Sequence, residues 1–333
     1  LKWSSMIYLI LLEGTKMTRQ IYDMELITGK DLEYKYDYLL LAPNLEQRSR
    51  HFFLKHKGFF RKILIMDYEN FHNGITSEQE KTFFDDFENV STEMLYAKDD
   101  TDAIRQLCKV QFEPEATIAV DITGFSIPNI YCVMNALKNV KNIKRLDVFY
   151  TEPKFYIYEE GYFDAYHGRA KERKCAPILG YCNSGKDEKE ILTIFLGFDG
   201  GLADMVFFKL GEEGKEILQT YVVNGFPSYT AKLKDVSLFN NEGLINKIDR
   251  NNLLCTTANN PFETYNLLCG LIKKSKGILL NLCTIGSKPM ALGTCLFALD
   301  HRSKVKVTYP FYEKTRFDVD EEPGKIWRYG IGF

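Results

Sequence analysis

The chain has 333 residues, 45% of them hydrophobic and 26% charged, with a formal net charge of −2. That length suits two domains, or one large one with an ample core, and the composition argues against a disordered, fibrous or membrane-spanning chain. A near-neutral balance also argues against a dedicated binder of long nucleic acid, which usually carries a basic excess, but it leaves room for a small anionic ligand held by a few donors.

The apolar run in "SMIYLILLEG" (5–14) is too short to cross a membrane. It lacks the basic start and small-residue cleavage site of a signal peptide. Residues 1–16 are expected to be a translated leader, with the natural start at Met17. From there strand-length apolar runs alternate with helical patterns. Strands are predicted at 37–42, 62–67, 92–97, 117–122 and 145–150, and helices at about 45–57, 77–87, 101–110 and 126–139. Four of these strands are continuous apolar runs rather than alternating ones, as expected of strands covered on both faces in a parallel sheet. The alternation predicts an α/β doubly wound sheet.

Residues 154–190 form a polar and aromatic connector, expected to be a surface linker with one hairpin. The order then repeats. Strands are predicted at 192–197, 218–223, 252–257, 277–282 and 304–309, with helices near 201–210, 238–248, 261–273 and 288–299. "LLLAPNLEQRSRHFF" (39–53) aligns with "IFLGFDGGLADMVFF" (194–208), "IAVDI" (118–122) with "ILLNL" (278–282), and Tyr150 with Tyr309. The expected organisation is two tandem Rossmann-like units, 17–153 and 191–333, related by internal duplication. Of the eight cysteines, Cys108, Cys132, Cys255, Cys269, Cys283 and Cys295 lie in apolar runs and are expected to be buried, reduced thiols of a cytoplasmic protein.

In open parallel sheets ligands bind beyond the carboxyl ends of the strands. The first strand of each half leads into "PNLEQR" (43–48) and "FDGGLAD" (198–204), the fourth into "TGFS" (123–126) and "TIGSK" (284–288). The last of these is the best anion candidate: Thr284, Gly286, Ser287 and Lys288 would converge at a helix N-terminus. The plain alternative is a strand–helix turn with Ser287 as N-cap. Thr123, Gly124 and Ser126 form the weaker candidate, and Asn44, Arg48, Asp199 and Tyr309 complete the set. Arg48 could instead lie on a solvated helix face. Tyr150 and Tyr309 could stack on bases or pack in the core.

"NLCTIGSKPMALG" (281–293) resembles the signature loop of the CRISPR-associated Rossmann fold (CARF) family, in which a strand ends in a Thr-Gly-Gly-Thr-Lys-like turn and enters a small-residue helix. Ile285 stands where that family commonly has glycine. "DITGFSIPNI" (121–130) resembles a second, degraded copy that has no lysine. CARF domains bind cyclic oligoadenylates, usually across a two-fold dimer interface, and the related SAVED domains resemble two CARF units fused in one chain. The resemblance implies a sensor of a nucleotide second messenger in bacterial defence against phage. Its ligand would be a cyclic nucleotide or other small anion in a cleft between the two halves, with a protein effector as partner and no cofactor or metal. Two alternatives stay open. One is a metal-independent ring nuclease or phosphodiesterase using the same cleft; the other is a scaffold subunit. No Walker, HExxH, GxSxG or zinc-deaminase motif occurs.

Overall fold

The computed structural model describes residues 23–29, 31–44, 46–69, 77–155, 158–159, 162–163, 173–182, 189–212, 216–226, 228–229, 231–312 and 322–332. The leader expected at 1–16 lies outside them. The described residues fall into two compact α/β units, one made of residues up to 155 together with 322–332, the other of 158–312.

In chain order the first unit contains β1 (Asp23–Ile27), β2 (Tyr36–Leu41), α1 (Arg48–Lys55), β3 (Phe60–Tyr68), α2 (Ser77–Asp85), β4 (Thr92–Ala97), α3 (Asp100–Lys109), β5 (Ala116–Asp121), α4 (Ile127–Lys138) and β6 (Ile143–Pro153). A short antiparallel pair follows, β7 (Tyr158–Glu159) and β8 (Tyr162–Phe163). The second unit contains β9 (Arg173–Pro177), β10 (Lys189–Phe195), α5 (Gly200–Glu212), β11 (Glu216–Gly225), α6 (Ala231–Asn240), α7 (Glu242–Ile245), β12 (Leu253–Thr256), α8 (Pro261–Lys274), β13 (Leu279–Thr284), α9 (Lys288–Asp300) and β14 (Val305–Tyr312). The last strand, β15 (Pro323–Ile331), returns to the first unit.

The first sheet has the order β1-β15-β6-β5-β2-β3-β4 and the second β12-β11-β10-β13-β14-β9. Within each, the five parallel strands run in the doubly wound order 3-2-1-4-5, counted in chain order, and antiparallel strands extend the side of the fifth. The predicted continuous apolar runs are the central strands. Leu39, Leu40, Ile63, Leu64, Ile118 and Val120 are fully buried in the first sheet, as are Leu192, Ile194, Leu280 and Leu282 in the second. Helices on both faces supply that burial. An aromatic stack supports the first core: the Phe52 ring lies 4.0 Å from that of Phe149, and Phe53 lies 4.4 Å from Phe87.

Helix starts follow local chemistry. Asp99 accepts the Asp102 amide at 2.9 Å ahead of α3, and Asn260 caps α8. The single helix expected at 238–248 is two, α6 and α7. They break at Asn241, whose side-chain amide donates to the carbonyls of Gly197 (3.0 Å) and Ser237 (2.8 Å).

Three expectations are corrected. The second unit does not run from 191 to 333, because β15 pairs antiparallel with β6 and β1 in the first sheet. Arg328 fixes it there. Its guanidinium donates to Asp23 (2.7 Å), Glu25 (2.9 Å) and the buried Asp147 (3.3 Å). Nor is 154–190 wholly linker: β9 pairs with β14 as an edge strand. Finally, Cys108 and Cys255 are exposed rather than buried, since β12 is an edge strand and Cys108 lies on the solvent face of α3.

Candidate functional site

In a 3-2-1-4-5 sheet the strand order reverses between the first and fourth strands, which opens a crevice beyond their carboxyl ends. The structure places the predicted loops there. In the first unit they follow β2 and β5; in the second they follow β10 and β13.

In the first unit the two loops are sewn together. The Asn44 side-chain amide donates to the Gly124 carbonyl at 3.4 Å. A Cβ on Gly124 would stand 2.1 Å from the Ala42 carbonyl oxygen, so only glycine allows this approach. Thr123 is buried. Its hydroxyl accepts the Thr151 amide and its own amide donates to Asp121, each at 2.9 Å. Ser126 is the N-cap of α4, in a capping box with Asn129. The Asn129 side chain also donates to Asp100 at 2.9 Å. Burial pushes the Asp100 carboxyl above its ordinary pKa, partly offset by that hydrogen bond. Arg48 turns inward. It pairs with Glu46 at 2.6 Å and donates to the Tyr150 hydroxyl (3.3 Å) and the Thr151 carbonyl (3.2 Å).

In the second unit Ser287 caps α9. Its hydroxyl accepts the Met290 amide at 3.3 Å and donates to the Ala258 carbonyl. The buried Thr284 hydroxyl meets that of Thr294 at 2.9 Å, inside α9. A Cβ on Gly286 would lie 2.8 Å from the Leu196 carbonyl oxygen, so this turn too packs backbone on backbone across the switch point. Lys288 is the first residue of α9 and is half-buried. Asp199 accepts the Leu202 amide at 3.1 Å and serves the first turn of α5. Tyr309 is buried, its ring edge-on to Phe311 at 5.3 Å. Thr284, Gly286, Ser287 and Lys288 therefore come together beside the loop after β10, while the hydroxyls of Thr284 and Ser287 are spent on the fold. The Met290 and Ala291 amides are taken by Ser287 and Pro289 has no N–H, so what the turn brings to an anion is the positive end of the α9 dipole and the Lys288 side chain.

The sequence reading missed Glu46 as the partner of Arg48, although two opposite charges two residues apart in a short loop carried the signal. It also missed Asn129, visible as the fourth residue of the S-x-x-N box. Among the described residues no group of three or more His, Cys, Asp or Glu side chains is placed to hold a metal ion. None of their helices is long and apolar enough to cross a membrane.

No family model matches this sequence, and no curated protein matches it. Among solved structures, the chain is similar to a Type III CRISPR defence DNA nuclease activated by cyclic oligoadenylate, with a TM-score of 0.51 and 10% identity. The alignment covers 82% of this chain and 65% of that one, so the chain spans less than two thirds of the nuclease's length. A Pseudomonas aeruginosa protein of unknown function aligns over 82% of this chain and 92% of its own, at 10% identity, but with a TM-score of only 0.25. The likeness to the nuclease is one of fold. The class that fold and loops define is a protein of two Rossmann-like α/β units, each with paired loops at its switch point.

Proposed function

We propose that this protein is a sensor that binds a nucleotide second messenger of the cyclic oligonucleotide class, in bacterial defence against phage. The observation that carries the reading is the start of α9, where Gly286, Ser287 and Lys288 form a capped helix N-terminus at the switch point of the second sheet. A phosphate suits this position, because the positive end of the α9 dipole faces it and the Lys288 ammonium adds a full charge. The fold shared with a cyclic-oligoadenylate-activated nuclease supports it. The equal strand orders, and a Ser-x-Pro start to the helix after the fourth parallel strand in both units, support descent by duplication of one CARF-like unit. On this reading the effector activity belongs to a protein partner.

The test is incubation of the purified protein with a panel of cyclic oligoadenylates and cyclic dinucleotides, followed by mass spectrometry of what is bound and what is free. Intact ligand recovered from the complex is the expected result. A linear product would assign the site to a ring nuclease, and no retention of any member would defeat the nucleotide reading.

A further inference from the structure

We propose that Arg48 is the core of a second, latent anion site in the first unit. The Glu46 carboxylate shuts it, and it opens when a phosphate takes that carboxylate's place. Both residues are buried, Arg48 at 8% exposure and Glu46 at 7%, with 2.6 Å between guanidinium and carboxylate. A cation this far from water requires a counter-anion, and here the chain supplies one.

Glu46 is not what positions the guanidinium alone. The Tyr150 hydroxyl and the Thr151 carbonyl accept from the same Nη1, at 3.3 and 3.2 Å, and tie it to the end of β6. The Tyr150 ring lies 5.9 Å from the guanidinium carbon. Glu46 sits in the loop between β2 and α1, where its amide donates to Asn44 at 3.0 Å. The Ser49 amide and hydroxyl hold the Glu46 carbonyl at 3.0 and 2.7 Å, so the backbone stays in place, and rotation of the Glu46 side chain would take the carboxylate away while the cation stays tied to β6. Exchanging a carboxylate for a phosphate keeps the buried charge compensated, and a guanidinium fork suits phosphate oxygens.

The two units place their cations differently. In the sequence alignment Glu46 and Arg48 fall on Gly201 and Ala203, so the second unit has no such pair. After the N-cap serine that starts the helix behind the fourth parallel strand, the second unit has Lys288 and the first has Ile127. The two pairs of switch-point loops thus carry one cation each, from opposite loops, and in the first unit a carboxylate of the same loop holds it.

This inference rests on the reading of the switch-point loops as anion-binding, and the experiment separates the two. Pyrophosphate binding to the full chain is measured by titration calorimetry in four backgrounds: wild type, Lys288→Ala, Lys288→Ala with Glu46→Gln, and that double variant with Arg48→Met. Glutamine keeps the size of the side chain and removes its charge. The double variant is expected to bind about ten- to a hundredfold more tightly than Lys288→Ala, and the triple variant to lose that gain. No gain in a double variant that still unfolds cooperatively overturns the latent site. Should Glu46→Gln fail to fold, Glu46→Asp, which withdraws the carboxylate by one methylene, is expected to give a smaller gain, and none would overturn the proposal equally. Failure of Lys288→Ala to weaken wild-type binding would count against the second-unit site alone.

Discussion

Replacing Ser287 with alanine is expected to lower stability and leave anion binding nearly intact, while replacing Lys288 with alanine does the reverse. The hydroxyl of Ser287 has two jobs in the fold: accepting the Met290 amide at 3.3 Å and donating to the Ala258 carbonyl. Loss of a serine N-cap costs about 1 kcal/mol. The Ala258 carbonyl keeps the Tyr229 hydroxyl at 3.3 Å, so its loss adds little, and the total comes to about 1–2 kcal/mol. For a unit of this size that lowers Tm by about 2–8 °C. Ser287→Gly should recover most of it, because glycine is a tolerable N-cap. Ser287 carries the cap of α9, so Lys288→Ala should shift Tm less than Ser287→Ala but weaken binding of a cyclic oligoadenylate about ten- to a hundredfold, the worth of one charge-assisted contact to phosphate. Thermal unfolding by circular dichroism and titration calorimetry read the two effects separately. The reasoning is refuted if Ser287→Ala abolishes binding at unchanged Tm, or if Lys288→Ala lowers Tm as far as Ser287→Ala does.

Arg328→Met should destabilise the first unit by about 3 kcal/mol in urea unfolding, because Asp147 stays buried with one arginine fewer; an unchanged midpoint would remove the account of why β15 docks there. Gly124→Ala should cost about 1–3 kcal/mol, since the added methyl meets the Ala42 carbonyl; wild-type stability would show that the two loops are not in contact. Iodoacetamide at pH 8 should label exposed Cys108, Cys182 and Cys255 well before half-buried Cys269, whose thiol burial pushes up to about 11, leaving about one in a thousand ionised; early labelling of Cys269 in a peptide map would contradict this. The Thr117 amide, with its hydroxyl, holds the Asp37 carboxyl below its usual range against a smaller opposing effect of burial. Its folded pKa is depressed, so its stabilisation is present above the ordinary aspartate value and fades as pH falls through the folded value. Asp37→Asn should therefore flatten the acid limb of the stability curve below about pH 4, and an unaltered limb would rule the residue out.

Much of each unit was legible in the sequence. Strand-length apolar runs such as "TIAVDI" and capped helix starts such as Ser126 and Ser287 are decided within a window of a few residues, and the structure has them within a few positions of where they are predicted. The edges that carry the candidate site follow, because strand ends and helix starts locate the loops. Three things were decided only in three dimensions. The order of strands depends on which runs pair across the sheet, and no local pattern states that. The return of "PGKIWRYGI" to the first sheet depends on Arg328 meeting Asp147, 181 residues earlier. The direction of Arg48 depends on Tyr150 and Thr151, more than 100 residues later, so its type was readable but its inward pairing was not. Periodicity and capping are short-range effects. The burial of a charge is settled by partners that only chain folding brings near.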